Sequence, residues 1–197
     1  QVSAGAEFSV VLDRNGQLWS FGSPEYGQLG NGTDGKYFVT ASKLTFDWVT
    51  HPTLNHVLAL EGPAPGGGSS SSSVGAATAG GGGSNSSGAT AAAAARVFSW
   101  GFGGYGRLGH NAQDDEMTPR SITMLGRLQG VMAMSSVVAG ASCSLGLGRA
   151  GHLWWWGKLA NSPRGEATMR PVQFADLYDW QIRCAAAGGQ AVLVASD

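Results

Sequence analysis

The sequence predicts an all-β fold, part of a β-propeller with three blades and the start of a fourth. Three observations carry that prediction. A motif of glycines and aromatics recurs with a period near 50 residues, the runs between recurrences alternate with a period of two, and helical periodicity is nearly absent. Composition agrees, since 32 glycines and seven tryptophans in 197 residues supply many turns and many large side chains for packing short strands in layers.

The first unit contains "AGAEFSVVLDRNGQLWSFG", Ala4 to Gly22. Phe8, Val10 and Leu12 alternate as in a half-buried strand, Asn15-Gly16 is a hairpin turn signal, and Leu18-Trp19-Ser20-Phe21 forms the returning strand. The same pattern returns without a gap at Ala139–Gly157, "AGASCSLGLGRAGHLWWWG". Gly5, Gly16, Trp19 and Gly22 match Gly140, Gly151, Trp154 and Gly157. Between them a weaker copy starts at "LNHVLALE", where the expected Ala-Gly before His56 is missing, and resumes at "RVFSWGFGGYGRLGH". A last copy opens at "AAAGGQAVLVASD" with Gly188 in the place of Gly5, and its first strand is expected to end the chain. The chain also starts inside a repeat, so it reads as a fragment of a longer ring.

Three segments follow: residues 1–61 as the first propeller part, 62–95 as an insert, and 96–197 as the second part. The insert is Gly, Ser, Ala, Thr, Asn and Pro with one large apolar side chain, Val74, and no charge. Such a segment buries too little surface to offset its chain entropy, which predicts a disordered loop. From Gly22 to Gly101 is 79 positions, 45 without the insert, and from Gly101 to Gly157 is 56.

Gly101-x-Gly103-x-x-Gly106 has the spacing of a dinucleotide fingerprint, which must open a helix whose N-terminus holds phosphate. The residues after Gly106 read as turn, and the motif is repeated in "LWSFGSPEYGQLGNG". There Gly22, Tyr26, Gly27, Leu29 and Gly30 match Gly101, Tyr105, Gly106, Leu108 and Gly109, with Pro24 in the place of Gly103. A phosphate site is built once, whereas a structural turn is built once per repeat. The motif is therefore a turn, and no cofactor is expected.

Charge and chemistry narrow the function. A formal net charge of −1 argues against nucleic-acid binding by this segment, and no apolar run is long enough for a membrane span. His51, His56, His110 and His152 stand apart with no ligand spacing, and no nucleophile–base arrangement can be assembled, so neither a metal site nor a catalytic residue is expected. Cys143 and Cys184 read as buried free thiols. Trp154 and Trp156 repeat Trp19 and Trp100 or Phe21 as strand core positions, while Trp155 replaces Ser20 and Ser99. Ser144 matches Ser9 and is expected to bond within its own blade. What remains is surface: the loop residues Glu25, Tyr26, Tyr105, Arg107, His110, Asp114, Asp115, Glu116 and Arg120 are the candidates for contacting a partner, the acidic run suiting a basic one.

The pattern Ala-Gly-x-x-x-Ser-x-x-Leu, then Gly-x-Leu-Trp-x-Phe/Trp-Gly-x-x-x-Tyr-Gly-x-Leu-Gly, resembles the regulator-of-chromosome-condensation repeat family. The wording of "PEYGQLG" and "RVFSWGFGGYGRLGH" is most similar to that family's divergent telophase-disc branch. The resemblance implies a seven-bladed propeller and a scaffold or regulator that binds a small GTPase and chromosome or microtubule components, in nucleus and cytoplasm. A narrower implication is guanine nucleotide exchange on a Ran- or Rac-like GTPase, which needs no catalytic triad. The Gly-Trp-Arg-His-Thr run of the family's tryptophan-rich light sensors is absent.

Overall fold

A computed structural model describes residues 2–15, 17–33, 35–44, 48–50, 56–61, 96–159, 167–189 and 191–196. The insert 62–95, His51, Gly16 and the Phe46–Asp47 pair lie outside the described residues.

Three four-stranded antiparallel sheets follow one another along the chain, each a simple meander. Blade 1 contains β1 (Val2–Ala4), β2 (Phe8–Leu12), β3 (Leu18–Gly22) and β4 (Phe38–Leu44). Blade 2 contains β5 (Trp48–Thr50), β6 (His56–Glu61), β7 (Val97–Gly101) and β8 (Glu116–Ser121), and blade 3 contains β9 (Met134–Ala139), β10 (Cys143–Gly148), β11 (Leu153–Gly157) and β12 (Thr168–Gln173). A two-stranded sheet, β13 (Ile182–Ala187) with β14 (Val192–Ser196), begins a fourth. The fourth unit thus has two strands where the sequence motif predicted one. The strand before each Ala-Gly pairs into the same sheet, and Ile182–Ala187 carries no motif that would announce it. Despite the missing Ala-Gly, β6 forms and pairs with β7 from His56↔Gly101 to Leu60↔Val97.

The core lies between sheets. Phe8, Val10, Leu18, Leu29 and Leu44 of blade 1 pack on Val57, Ala59, Phe98 and Trp100 of blade 2. Leu58, Val97, Ile122 and Leu125 pack in turn on Met134, Val137, Ala139, Trp154 and Trp156 of blade 3. The period of two is the reason: each strand sends alternate side chains to its two neighbours. Trp19 and Phe21, which match Trp154 and Trp156, lie on the flank of blade 1 away from blade 2, where no other sheet packs among the described residues, and both are only half-buried. Cys143 is buried, but Cys184 is exposed on β13, against the expectation of two buried thiols.

The repeat glycines make the same turns each time. Gly5, Gly140 and Gly188 each donate their N–H to the carbonyl three residues on, at 2.8 Å. Gly30 and Gly109 have φ of +67° and +78°, and a Cβ there would lie 2.7 and 2.9 Å from the indole nitrogens of Trp100 and Trp156. Only glycine meets both the left-handed backbone and the closeness of the ring. The Gly101–Gly109 segment is a turn with one short 3₁₀ stretch, Gly104–Gly106, and no helix follows it. Gly103 is less replaceable in blade 2 than Pro24 suggests: its N–H reaches Asp115 Oδ1 at 2.7 Å, and a Cβ would collide with the Asp114 carbonyl.

Candidate partner-binding face

In a meander, alternate connections emerge at opposite ends of the strands. The β1–β2, β3–β4, β7–β8, β9–β10 and β11–β12 connections share one face of the arc, the first face. The opposite face carries the β2–β3, β8–β9, β10–β11 and β12–β13 connections and the ends of β6 and β7 that flank the insert. Every partner-contact candidate except Arg120 lies in a first-face loop or, as Glu116, at the strand end beside it.

The candidates fall into three groups. At the seam of blades 1 and 2, the Tyr26 and Phe102 rings are 4.9 Å apart, with Glu25 hydrogen-bonded to Tyr26. That bond and the nearby charges of Glu25, Asp115 and Glu7 push the Tyr26 hydroxyl above its ordinary pKa. Tyr37 hydrogen-bonds Glu7 at 2.8 Å, which raises its own pKa likewise. At the seam of blades 2 and 3, the Arg107 guanidinium stands over Phe102 at 4.7 Å and over Tyr105 at 5.6 Å, and Lys158 Nζ stands 5.0 Å from the Tyr105 ring. The third group is internal to blade 2. His110 Nε2 lies 2.9 Å from Ser99 Oγ, and Arg120 pairs with Glu116.

The acidic run is thus partly consumed. Asp115 accepts from Gly103 and Glu116 pairs with Arg120, leaving Asp114 exposed and without such a bond among the described residues. Sequence reasoning missed Glu7, Tyr37, Phe102 and Lys158, because each sits in a different connection and only the fold places it beside a candidate. It also missed the buried pair His56 Nε2–Ser144 Oγ at 3.1 Å. Ser144 donates its hydroxyl to the Arg107 carbonyl at 2.8 Å, so its bonds run between blades, not within one as expected. Trp155 is explained by the turn that blade 3 lacks. Ser20 and Ser99 close the Tyr-Gly-x-Leu-Gly turns by bonding the Leu29 and Leu108 carbonyls at 2.7 and 2.6 Å. Lys158 onward has no such sequence, and Trp155 packs on Phe174 instead, centroids 5.7 Å apart.

Among the described residues no group of three or more His, Cys, Asp or Glu could hold a metal ion, and no helix is long and apolar enough to cross a membrane.

Residues 95–147 and 1–28 match the regulator of chromosome condensation (RCC1) repeat. The chain is 38% identical over its whole length to the RCC2 homolog of Xenopus laevis, of which it covers 37%. The chain therefore spans just over a third of the length of that relative. Among solved structures it resembles human WBSCR16, with a TM-score of 0.71 at 19% identity over 44% of that chain. It likewise resembles Prp20p of Saccharomyces cerevisiae, solved with a study of its binding to Gsp1p and histones, with a TM-score of 0.69 at 16% identity over 43% of that chain. Both neighbours are propellers, and the present chain is an arc of one.

Proposed function

The chain belongs to the regulator of chromosome condensation repeat family, and from that premise we propose that it is a non-catalytic interaction module that binds a Ran- or Rac-like small GTPase through its first face. Chromosome or microtubule components are the further partners, and nucleus and cytoplasm the location. The observation that carries the reading is the convergence of Glu7, Glu25, Tyr26, Phe102 and Asp115 from three connections onto one seam. Tyr26 and Phe102 supply rigid aromatic area, and the carboxylates select a partner surface bearing Lys or Arg. The binding of Prp20p to Gsp1p and histones supports the same reading.

The test pairs two measurements on a purified GTPase loaded with a fluorescent nucleotide. Binding is expected without faster nucleotide release, and charge reversal at Glu25 and Asp114 is expected to weaken it about tenfold, a loss of about 1.4 kcal/mol. Accelerated release would make the chain an exchange factor instead, acting by distorting the phosphate and metal site of its partner. Absence of binding would overturn both readings.

A further inference from the structure

The seam between blades 2 and 3 carries a second chemistry. Arg107 is 5% exposed. Its Nε donates to the Gly104 carbonyl at 2.8 Å and one Nη to the Ala141 carbonyl, across the seam. Its other N–H groups have no acceptor among the described residues. Arg107 and Lys158 share the Tyr105 ring at 5.6 and 5.0 Å, and neither has a carboxylate at ion-pair distance among the described residues. Asp115 is the one carboxylate whose charge is felt at Arg107, more weakly than Tyr105 and Cys143, and its Oδ1 is taken by the Gly103 N–H. A buried guanidinium with two carbonyl acceptors and a second cation beside it is a positive site short of an anion. Burial accordingly pushes the Arg107 pKa down.

The turn itself does not need that charge. In blade 1 the matching residue is Gln28, neutral and 2% exposed, whose Oε1 accepts the Tyr26 N–H at 2.8 Å. Tyr105 is distinctive too. It sits 46% exposed with φ of +62°, a left-handed backbone rare for a bulky residue, whereas Tyr26 is not among the positive-φ residues. That backbone holds the ring out at the surface, within cation–π distance of both cations.

We propose that Arg107, Lys158 and the Tyr105 ring form an anion site that takes the oxyanion of a carboxylate or phosphate. Arginine's planar fork leaves a donor edge for two oxygens, and the lysine closes the site as a point charge. The inference uses the same face as the proposed partner surface but not the identity of the partner, so failure of GTPase binding leaves it standing.

The test is an amide NMR titration of the 197-residue chain with inorganic phosphate and, separately, with acetate, at ionic strength held constant with sodium chloride. Saturable shifts at Tyr105, Gly106 and Lys158 are expected, weakened about tenfold by Arg107→Gln and by Lys158→Gln and abolished by the pair. Arg107→Gln copies blade 1 and should fold; if it does not, Lys158→Gln alone decides. Saturation with acetate as well as phosphate identifies a carboxylate-competent site, and saturation with phosphate alone a phosphate site. Linear shifts, or saturable shifts unchanged in the Lys158 variant, would overturn the proposal.

Discussion

The joint between blades 1 and 2 and the joint between blades 2 and 3 are built from the same parts and wired differently. In both, a Tyr-Gly-x-Leu-Gly turn lies on the next blade. The Gly32 N–H reaches the Met117 carbonyl at 3.0 Å, and the Asn111 N–H reaches the Met169 carbonyl at 2.8 Å. In both, a tryptophan of the next blade seats on a turn glycine, Trp100 on Gly30 and Trp156 on Gly109. The turn carbonyl two residues before that glycine then meets a choice. At the first joint the Gln28 carbonyl accepts the Trp100 indole N–H at 3.0 Å, and the strand position that could compete is Val57. At the second joint that position is Ser144, which takes the Arg107 carbonyl, and the Trp156 indole nitrogen has no partner among the described residues. One hydroxyl exchanges an indole bond for a buried polar chain running from His56 through Ser144 to Arg107. The lesson is that repeat packing fixes positions while single side chains choose the hydrogen bonds.

The largest expected effect breaks both joints alike. Trp100→Ala and Trp156→Ala each empty a fully buried site, and each is expected to cost about 3–5 kcal/mol in denaturant unfolding. If Trp156→Ala proved nearly neutral, the second joint would not be held by packing and the parallel between the two would fail.

Next in size are the seats themselves. Gly30→Ala and Gly109→Ala place a Cβ within 3 Å of an indole nitrogen on a left-handed backbone, and each is expected to cost about 1–3 kcal/mol. Gly126→Ala, where nothing lies within 4 Å and φ is not positive, is the control and should be neutral in the same melts.

These glycines and tryptophans are also what the sequence made legible. Turn residues need a particular backbone and large aromatics need a particular hole, so both recur at fixed offsets, and three blades with the start of a fourth could be read from them. The first strand of each sheet could not. Ile182–Ala187 and Val2–Ala4 have no shared signature, because their place is set by pairing with the next strand and not by local turn chemistry. The candidate face was half legible. Loop residues at Glu25, Tyr26, Tyr105 and Arg107 stood out against matching scaffolds, but their neighbours Glu7, Phe102 and Lys158 come from other connections. Ser144 was visible as a repeat position, yet its partner His56 is 88 residues away, and no spacing rule reaches that far.

A smaller effect sharpens the difference between the joints. Ser144 donates to Arg107, so His56 Nε2 must donate its proton to Ser144 Oγ. Ser144→Val alone removes the acceptor of that bond and the donor to the Arg107 carbonyl, and should cost about 1–3 kcal/mol. Adding His56→Phe copies Phe8, which holds the matching position in blade 1, and frees the Arg107 carbonyl for Trp156. The double variant is expected to recover to within about 1 kcal/mol of the parent. Strict additivity of the two changes would show that the polar chain is not a coupled unit.

The smallest effect separates blade 1 from blade 2 by pH. His110 occupies the place of Asn31, which cannot titrate, and its Nε2 donates to Ser99 Oγ because that hydroxyl is spent on the Leu108 carbonyl. Burial, helped by the charge of Arg120, holds the folded His110 pKa below the ordinary value of 6.5, against weaker opposition from Glu116 and a hydrogen bond to the Ser99 backbone. The unfolded chain therefore binds the proton more readily than the folded one just below that value. Stability linked to His110 is complete above pH 6.5 and declines as the pH falls through 6.5 toward the folded pKa. His110→Asn, copying blade 1, is expected to flatten the acid side of the stability profile between pH 6.5 and 5 while leaving the midpoint at pH 8 nearly unchanged. Denaturant midpoints across that range measure it. An acid slope identical to that of the parent would place the titrating group elsewhere and remove this distinction between the blades.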